Sequence, residues 1–445
     1  MIRLIIDRLL ILLNLIFLQR LIQGCTGLIT LFLVTGYLSL DLQGWYYTFA
    51  SIAGVWILFD LGLSVILLQF SAHFFFRLRW LLYGATEGEL SGKFYSLIRQ
   101  SFKFYMGAAL SYLVIVVTVG LVFFLQKENS LYDWILPWIL LVIFSGLNML
   151  PLPFISMVEG SGKIKEVYSL RIIQNILSSI ALWSALISGY QLWALVFVPM
   201  ITFTVAILWL LFFKPILLTK ILDNKIDTFH WRQEIWPMQW RVILSVFASY
   251  LLFQIYIPLL FYYESAQVAG QFGLSLTIII MLTLLAQSLI ARNVPNYAKA
   301  VAGKNWIKFD RMFKYDLIIS TSLLLLGSII VLTSSHYAHQ ITGFDQITGF
   351  DQRILPIIPL AGLLIVGLVN HINLGMATHL RAYKKEPLAF IFLISSVITI
   401  PIAMYSLTIF SVEGVVFSIL FVQIFVTLPM TLFYWVKINK QLRIG

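Results

Sequence analysis

The chain contains a single cysteine, Cys25, among 445 residues, so an internal disulfide is excluded. Charged side chains are also scarce, at 11% of the residues, where a soluble domain has about 25%. The sequence shows no nucleophile motif, no phosphate-binding glycine loop and no spaced cluster of metal ligands. We therefore expect no catalytic activity, no cofactor and no bound metal.

Apolar residues are abundant and make up 60% of the chain. Twelve apolar segments approach the ~20 residues that an α-helix needs to span a bilayer. In chain order they are 12–35, 45–70, 103–125, 134–157, 168–188, 192–213, 237–261, 267–290, 315–334, 355–377, 387–409 and 413–435. This pattern predicts an all-α polytopic membrane protein with about twelve transmembrane helices.

The basic residues fall on alternate loops of this arrangement. Of the 30 Lys and Arg residues, Lys127 and Arg353 fall on one side, Arg20 lies inside a helix, and the remaining 27 fall on the other side. Because loops rich in Lys and Arg stay in the cytoplasm, both termini are predicted to be cytoplasmic. The net charge of +11 is thus attributed to membrane topology and not to nucleic-acid binding.

The longest outer loop, 335–354, contains a direct duplication of ITGFDQ at 341–346 and 347–352. Since such an insertion is tolerated where no exact geometry is needed, we expect no well-defined site in this loop.

Three pairs of positions recur at a nearly constant offset. They are Arg20 with Arg241 (221 positions apart), Gln69 with Gln287 (218) and Lys165 with Lys384 (219). The repeat predicts two six-helix lobes, 1–213 and 237–445, joined by a cytoplasmic loop at 214–236 and arranged around a shared central cavity. Because each lobe has an even number of spans, the lobes should be related by an axis along the membrane normal.

Arg20 and Arg241 interrupt the apolar helix that opens each lobe. An arginine at the centre of a membrane helix costs about 2.5–3.5 kcal/mol, so it usually faces water or a partner. We predict that both line the cavity and bind an anionic group, with Gln69, Gln287 and Arg292 as further cavity residues. The alternatives are snorkelling for the two arginines and interfacial anchoring for Arg292.

Four other ionisable residues are candidates for coupling or gating. Asp60 lies deep in the second span, where it either pairs with Arg20 or exchanges protons. His371 lies inside the tenth span and either exchanges protons or is a buried, satisfied histidine. His73 and Glu159 lie at helix ends predicted to be cytoplasmic and form a gate or cap a loop.

Three segments carry a family resemblance: GWYYTFASIAGVWILFDLGLSVILLQFSAHF (44–74), MVEGSGKIKEVYSLRIIQ (157–174) and WRQEIWPMQWRVILS (231–245). Over essentially its whole length the chain resembles bacterial flippases of lipid-linked O-antigen and other polysaccharide repeat units. These belong to the multidrug/oligosaccharidyl-lipid/polysaccharide exporter superfamily. The family often has Glu where Asp60 stands here, and another Glu where Phe74 stands, so this chain departs from the family pattern on which proton coupling near that helix end would rest.

The resemblance implies an alternating-access flippase in the bacterial inner membrane, with two six-helix lobes around an often cationic cavity. Its cargo would be an undecaprenyl-pyrophosphate-linked oligosaccharide, moved from the cytoplasmic to the periplasmic leaflet. Expected partners are this substrate, membrane lipid and other polysaccharide-assembly membrane proteins. A drug/cation antiporter of the same superfamily, a polysaccharide polymerase or ligase, and a non-transporting scaffold are the alternatives. The arginines favour an anionic cargo over a cation, and the short outer loops argue against an enzyme.

Overall fold

The computed structural model describes residues 2–127, 133–220, 229–337, 349–381, 383 and 388–444. The first half contains α1 Ile2–Tyr37, α2 Leu40–Ala53, α3 Trp56–Asp60, α4 Leu63–Phe74, α5 Ser91–Leu125, α6 Ile135–Leu147, α7 Leu152–Gly160, α8 Ile164–Ile187, α9 Trp193–Phe213 and α10 Pro215–Thr219. The second contains α11 Trp231–Glu234, α12 Trp236–Phe253, α13 Tyr256–Tyr263, α14 Ala266–Ala291, α15 Val294–Ala302, α16 Trp306–Tyr337, α17 Phe350–Arg353, α18 Ile357–Arg381, α19 Ala389–Val422, a π-helix Gln423–Thr427 and α20 Leu428–Ile444. The described strands are β1 Arg79–Trp80 and β2 Thr86–Glu87, which pair antiparallel between α4 and α5.

In the described residues, ten helices are long and apolar enough to cross a membrane. The bent pair Leu40–Asp60 and Leu63–Phe74 adds an eleventh span. The longest candidate, Ala389–Gln441, has 53 residues, about 80 Å of helix, where a bilayer core is about 30 Å thick. It breaks at Ser411, whose φ of 54° and ψ of −143° are not helical. Its two arms are therefore two spans, and the predicted all-α polytopic membrane fold with about twelve spans is confirmed.

Backbone packing divides the chain into two compact units. Unit 1 is Met1–Leu33 with Phe49–Val246, and unit 2 is Val34–Thr48 with Phe247–Gly445. The end of α1 and the start of α2 thus pack with the second half of the chain. The lobes at 1–213 and 237–445, which the sequence repeat suggests, stay a prediction.

In unit 1, the segment that precedes α12 packs against α5. The backbone N–H of Phe229 donates to Ser96 Oγ (3.1 Å), and Gln100 Nε2 donates to the Phe229 carbonyl (2.7 Å). Trp231 stacks on Phe104 with ring centroids 5.8 Å apart. Residues 229–231 are therefore an ordered part of unit 1, although the sequence predicts a connecting loop there.

In unit 2, the start of α2 approaches the start of α14 with almost no space between the backbones. A Cβ added at Gly44 would lie 1.8 Å from the carbonyl oxygen of Ala266, and one at Gly270 would lie 2.9 Å from the Gly44 nitrogen. Only glycine fits at such a contact. This approach joins α2 to the second half of the chain.

Candidate functional site

The second span breaks between α3 and α4 in unit 1. Leu61 and Gly62 have φ values of 49° and 66°, in the left-handed region. A non-glycine residue at positive φ is uncommon. A Cβ at Gly62 would also lie 2.2 Å from Val242 Cγ1. The backbone and its packing against α12 therefore impose a break directly after Asp60.

Asp60 is 5% exposed at this break, and two hydroxyls satisfy its carboxylate. Tyr105 donates to Oδ1, and Ser64 donates to Oδ2 at 2.9 Å. In the described residues no ion pair joins Asp60 to Arg20, so that part of the prediction is wrong. The physical reason is position, because Arg20 is exposed on α1 whereas Asp60 is buried among α4 and α5. Proton exchange at Asp60 stays a prediction.

The helix that carries Arg20, α1, runs beside α8. Thr26 Oγ1 donates to Asn175 Oδ1 (3.0 Å), and Trp183 Nε1 donates to Thr30 Oγ1 (2.8 Å). These two hydrogen bonds fix the register of α1 on α8. Arg20 is two residues inside the candidate span Leu18–Tyr37.

Arg20 belongs to a charged group at one end of unit 1. Arg171 forms a two-point ion pair with Glu159, with Nη2–Oε2 at 2.6 Å and Nη1–Oε1 at 3.3 Å. The Arg171 guanidinium also lies 5.1 Å from the ring centroid of Tyr168. Arg20, Arg171 and Glu159 all interact electrostatically with Tyr168. We call Arg20, Glu159, Tyr168 and Arg171 the Arg20 cluster.

The Arg20 cluster has an excess of positive charge. Glu159 is neutralised by Arg171, and Arg20 forms no ion pair with any residue that the structure describes. Arg20 is exposed, whereas Glu159 has only 13% of its side chain exposed. The arrangement leaves one accessible guanidinium for an anionic group.

Gln69 and His73 are exposed on one face of α4, because they are four residues apart. Ser71 points elsewhere, and its hydroxyl donates to the carbonyl of Met157 on α7. α4 is therefore fixed against the helix that carries Glu159. The gating roles of His73 and Glu159 and the cavity role of Gln69 stay predictions.

In unit 2, the structure brings two predicted residues together, Gln287 and His371. Gln287 Nε2 on α14 donates to the His371 carbonyl on α18 (3.1 Å). The His371 ring is 0% exposed, and its Nε2 lies 2.9 Å from Ser320 Oγ on α16. Its Nδ1 has no hydrogen-bond partner among the described residues. A buried imidazole with one satisfied nitrogen leaves a place for a proton or a water molecule.

A second buried polar network in unit 2 was not predicted. Asn373 on α18 donates to Gln423 Oε1 (3.3 Å) and accepts from Thr431 Oγ1 (2.7 Å). Gln423 opens the π-helix, and π-helical turns are frequent at functional sites. The sequence signal for this network was the presence of the polar residues Gln423 and Thr431 inside the last predicted span, 413–435.

Asp316 is the other residue that sequence reasoning missed. It is 3% exposed and accepts hydrogen bonds from Tyr297 and from Asn293 Nδ2 (2.8 Å). Burial, with the Asp316 carboxylate as a further cause, raises the pKa of Tyr297, so this hydroxyl stays protonated and donates. Arg292 is exposed at the end of α14 and interacts electrostatically with Tyr297. An acid at the start of the predicted span 315–334 was the signal for this site.

The described end of the loop 335–354 is anchored by hydrogen bonds. Gln43 Nε2 donates to the carbonyls of Gly270 and Arg353 (both 3.0 Å), and Arg353 Nη1 donates to Gln43 Oε1 (3.1 Å). Gln271 Nε2 also donates to the Gln352 carbonyl (2.9 Å). Residues 352–353 are therefore held in place by hydrogen bonds, and the absence of a well-defined site in the loop 335–354 stays a prediction. Residues 341–348 of the duplicated stretch lie outside the described residues.

Two members of the predicted repeat pairs are not fully covered by the described structure. Arg241 lies on α12, but its side chain is outside the described structure, and Lys384 is outside it altogether. The cavity role of Arg241 stays a prediction.

Comparison with solved structures gives matches along almost the whole chain. The inward-facing conformation of a multidrug resistance MATE family transporter of the MOP superfamily has a TM-score of 0.64 and 11% identity, over 94% of this chain and 96% of that chain. The eukaryotic MATE transporter AtDTX14 has a TM-score of 0.64 and 13% identity, over 98% of both chains. A MOP superfamily transporter from Pyrococcus furiosus, described by the reverse polarity of its binding pocket, has a TM-score of 0.57 and 12% identity, over 97% of this chain and 95% of that chain.

No protein-family model matches the sequence, and no curated protein does. At 11–13% identity the structural likeness defines the fold. The chain has the fold of MATE transporters of the MOP superfamily.

Proposed function

We propose that the protein is a membrane transporter that moves its cargo by alternating access and catalyses no bond cleavage. The observation that carries this proposal is the match to transporter structures over 94–98% of the chain, with 95–98% of those chains covered. Because the match covers nearly all residues of this chain, it supports a transporter over an enzyme of a polysaccharide pathway.

For the cargo, we propose an undecaprenyl-pyrophosphate-linked oligosaccharide, which is exported to the periplasmic leaflet of the bacterial inner membrane. The support is the resemblance of 44–74, 157–174 and 231–245 to O-antigen flippases, together with the Arg20 cluster. A guanidinium binds two phosphate oxygens at once, and Arg20 is exposed without a competing carboxylate among the described residues. A pyrophosphate headgroup is the kind of anion that this arrangement suits.

A drug/cation antiporter is the second candidate, and the structural relatives favour it more than they favour the flippase. One of them is described as a multidrug resistance transporter. Two buried carboxylates, Asp60 and Asp316, are the groups that such a protein would use for a proton or a cation. Both already accept hydrogen bonds from tyrosine hydroxyls, which favours a structural or proton-linked role over direct cation binding.

Purified protein in liposomes separates the two candidates. One arm measures translocation of a fluorescent undecaprenyl-pyrophosphate-linked sugar, and the other measures ethidium uptake under an imposed pH gradient. We expect translocation of the lipid-linked sugar, and its loss in Arg20→Ala at equal protein incorporation. Gradient-driven ethidium uptake that Arg20→Ala leaves unchanged, with no movement of the lipid-linked sugar, would establish the antiporter instead. Movement of neither cargo in any orientation would contradict the transport proposal.

A further inference from the structure

The hairpin β1–β2 follows the second span and carries large apolar side chains that are exposed in the described structure. Leu82 is 80% exposed, Tyr83 63% and Leu81 50%, and Phe76, just before the hairpin, is 90% exposed. We call these four residues the apolar tip. Contiguous apolar groups outside a protein core mark a surface that contacts another protein or a membrane.

The opposite side of the hairpin is fixed to unit 1. Trp80 Nε1 donates to Ser161 Oγ (2.8 Å), and Lys214 Nζ lies 5.1 Å from the centroid of the Trp80 ring. Tyr95 Oη accepts from the backbone N–H of Thr86 (2.7 Å). The hairpin that carries the apolar tip is therefore anchored to unit 1, so the exposure of the tip does not come from a loose loop.

The turn of the hairpin has a strained backbone conformation at Tyr83. Tyr83 has φ 54° and ψ 23°, in the left-handed region that a tyrosine rarely adopts. Backbone hydrogen bonds from Leu81 to Ala85 (2.8 Å) and from Ala85 to Leu82 (3.2 Å) hold this turn. Strain of this kind persists where the surrounding structure imposes it, and it is concentrated at functional positions.

The apolar tip lies in the segment that connects two candidate membrane spans. α4 ends at Phe74 and α5 begins at Ser91, and both belong to candidate membrane spans. Phe76 follows Phe74 by two residues, a distance of at most about 7 Å along the chain. Tyrosine is enriched at the membrane–water interface, and Phe and Leu side chains of interfacial elements are buried at the boundary between headgroups and acyl chains.

Basic residues outnumber acidic ones on the elements that hold the hairpin. The basic set is Arg77, Arg79, Lys93, Lys163, Lys165, Lys214 and Lys220, and the acidic set is Glu87, Glu89 and Glu166. Arg79 pairs with Glu87 (2.7 Å) and Lys214 with Glu166 (3.1 Å). Arg77 and Lys93 are exposed next to the hairpin. A basic surface beside a bilayer attracts anionic lipid headgroups.

We propose that the hairpin docks on the adjoining membrane leaflet, with the apolar tip inserted at the headgroup boundary and with Arg77 and Lys93 against anionic phospholipid headgroups. Insertion removes four large apolar side chains from water and gives the cations a counter-charge. Lipid contact then also fixes the end of α4, the helix that carries Gln69 and His73. The docking does not depend on which cargo is transported.

The experiment places a polarity-sensitive nitrobenzoxadiazole label at the tip in lipid nanodiscs. Leu82→Cys is compared with Glu89→Cys, both in a Cys25→Ser background, because both positions are exposed in the same loop. Discs contain phosphatidylcholine alone or a mixture with phosphatidylglycerol. We expect the label at position 82 to be several-fold brighter in the mixed discs, and to be quenched by lipid-borne nitroxide. The label at position 89 should be quenched by aqueous iodide.

Adding Arg77→Gln should reduce the brightness at position 82 in the mixed discs, with monodisperse elution as the check on folding. Equal brightness at position 82 in both lipids, unaffected by Arg77→Gln, overturns the role of anionic headgroups. Equal iodide quenching at positions 82 and 89 in both lipids overturns the docking. Shielding of position 82 that arises only on addition of cytosolic protein also overturns the docking and assigns the tip to a protein partner.

In the unlabelled Cys25→Ser protein, slower amide exchange over 76–87 in the mixed discs than in phosphatidylcholine supports the proposal without a label.

Discussion

Tyr105 donates a hydrogen bond to the carboxylate of Asp60, and the two side chains are 0% and 5% exposed. Tyr105 comes from α5 and Asp60 from the end of α3, so this bond joins the broken second span to the third. The break leaves Asp60 without a continuing helix. The hydroxyls of Tyr105 and Ser64 thus hold a buried acid at a point where the backbone is already interrupted.

The first prediction concerns this bond. Tyr105→Phe removes one of the two hydroxyl donors and leaves a carboxylate oxygen unsatisfied, which costs about 1–3 kcal/mol. We expect a lower thermal unfolding temperature, measured in detergent by fluorescence-detected size exclusion. Tyr190→Phe is the matched control, because Tyr190 is 59% exposed and loses only a surface hydroxyl. Equal stability of the two variants would show that the bond does not support the break.

The second prediction concerns the charge of Asp60. Asp60→Asn keeps one oxygen acceptor for one of the two hydroxyls and presents an amide donor to the other, but it cannot exchange a proton. We expect protein at a normal level with impaired transport, measured as surface polysaccharide in a flippase-deficient strain. Normal export at normal protein level would rule out a coupling role. Loss of the protein from the membrane would make the residue structural.

The apolar runs determine where the chain crosses the membrane, which is why the spans were predictable. The segments predicted at 387–409 and 413–435 lie within one long candidate span, and its break at Ser411 falls between them. Charge and hydropathy act locally along the sequence, so they are visible without a structure. The same holds for Asp60, which is recognisable as a buried acid by its position in an apolar run.

The partners of these residues were not predictable in the same way. Tyr105 is 45 positions from Asp60, and Arg353 is 310 positions from Gln43, so packing alone brings them together. Arg20 was the wrong partner for Asp60, since opposite charges within the first two spans suggested a pair that the structure does not form. The ion pair between Glu159 and Arg171 joins the end of α7 to α8 across a turn. Such contacts depend on the angle between helices, which periodicity does not give.

The third prediction concerns the approach of α2 to α14 in unit 2. A Cβ at Gly44 would lie 1.8 Å from the Ala266 carbonyl oxygen, so Gly44→Ala forces backbone movement. Overpacking of this kind typically costs about 1–3 kcal/mol and occasionally more. We expect a clear fall in unfolding temperature or loss of folded protein. Gly36→Ala is the control, because nothing lies within 4 Å of the added Cβ. A well-folded, equally stable Gly44→Ala protein would contradict the described contact.

The fourth prediction concerns topology. The 27 basic residues assigned to one side predict that both termini are cytoplasmic. A reporter fused after residue 445 should be active in the cytoplasm, and a reporter inserted within 341–352 should be active in the periplasm. A periplasmic signal from the C-terminal fusion would contradict the predicted topology.

The last prediction concerns Arg20 and its cluster. Arg20 is exposed beside Tyr168, while Glu159 is held by Arg171 at 2.6 Å, so the excess positive charge of the cluster is that of Arg20. Arg20→Ala should strongly reduce export, and Arg20→Lys should retain part of it, because the charge survives but the two-point contact with phosphate is lost. Lys440→Ala, at an exposed position near the C-terminus, is the control and should have little effect.

The measurement is surface polysaccharide in a flippase-deficient strain, normalised to membrane-inserted protein. Full export by Arg20→Ala would mean that this guanidinium does not contact the cargo. A loss of export that follows only a loss of inserted protein would assign Arg20 to membrane anchoring, the snorkelling alternative. Anion binding by Arg20 predicts a graded order at equal protein level, with wild type above Arg20→Lys and Arg20→Lys above Arg20→Ala. This order distinguishes anion binding from membrane anchoring, because anchoring requires only the charge that lysine also supplies. It also distinguishes anion binding from the absence of any contact with the cargo.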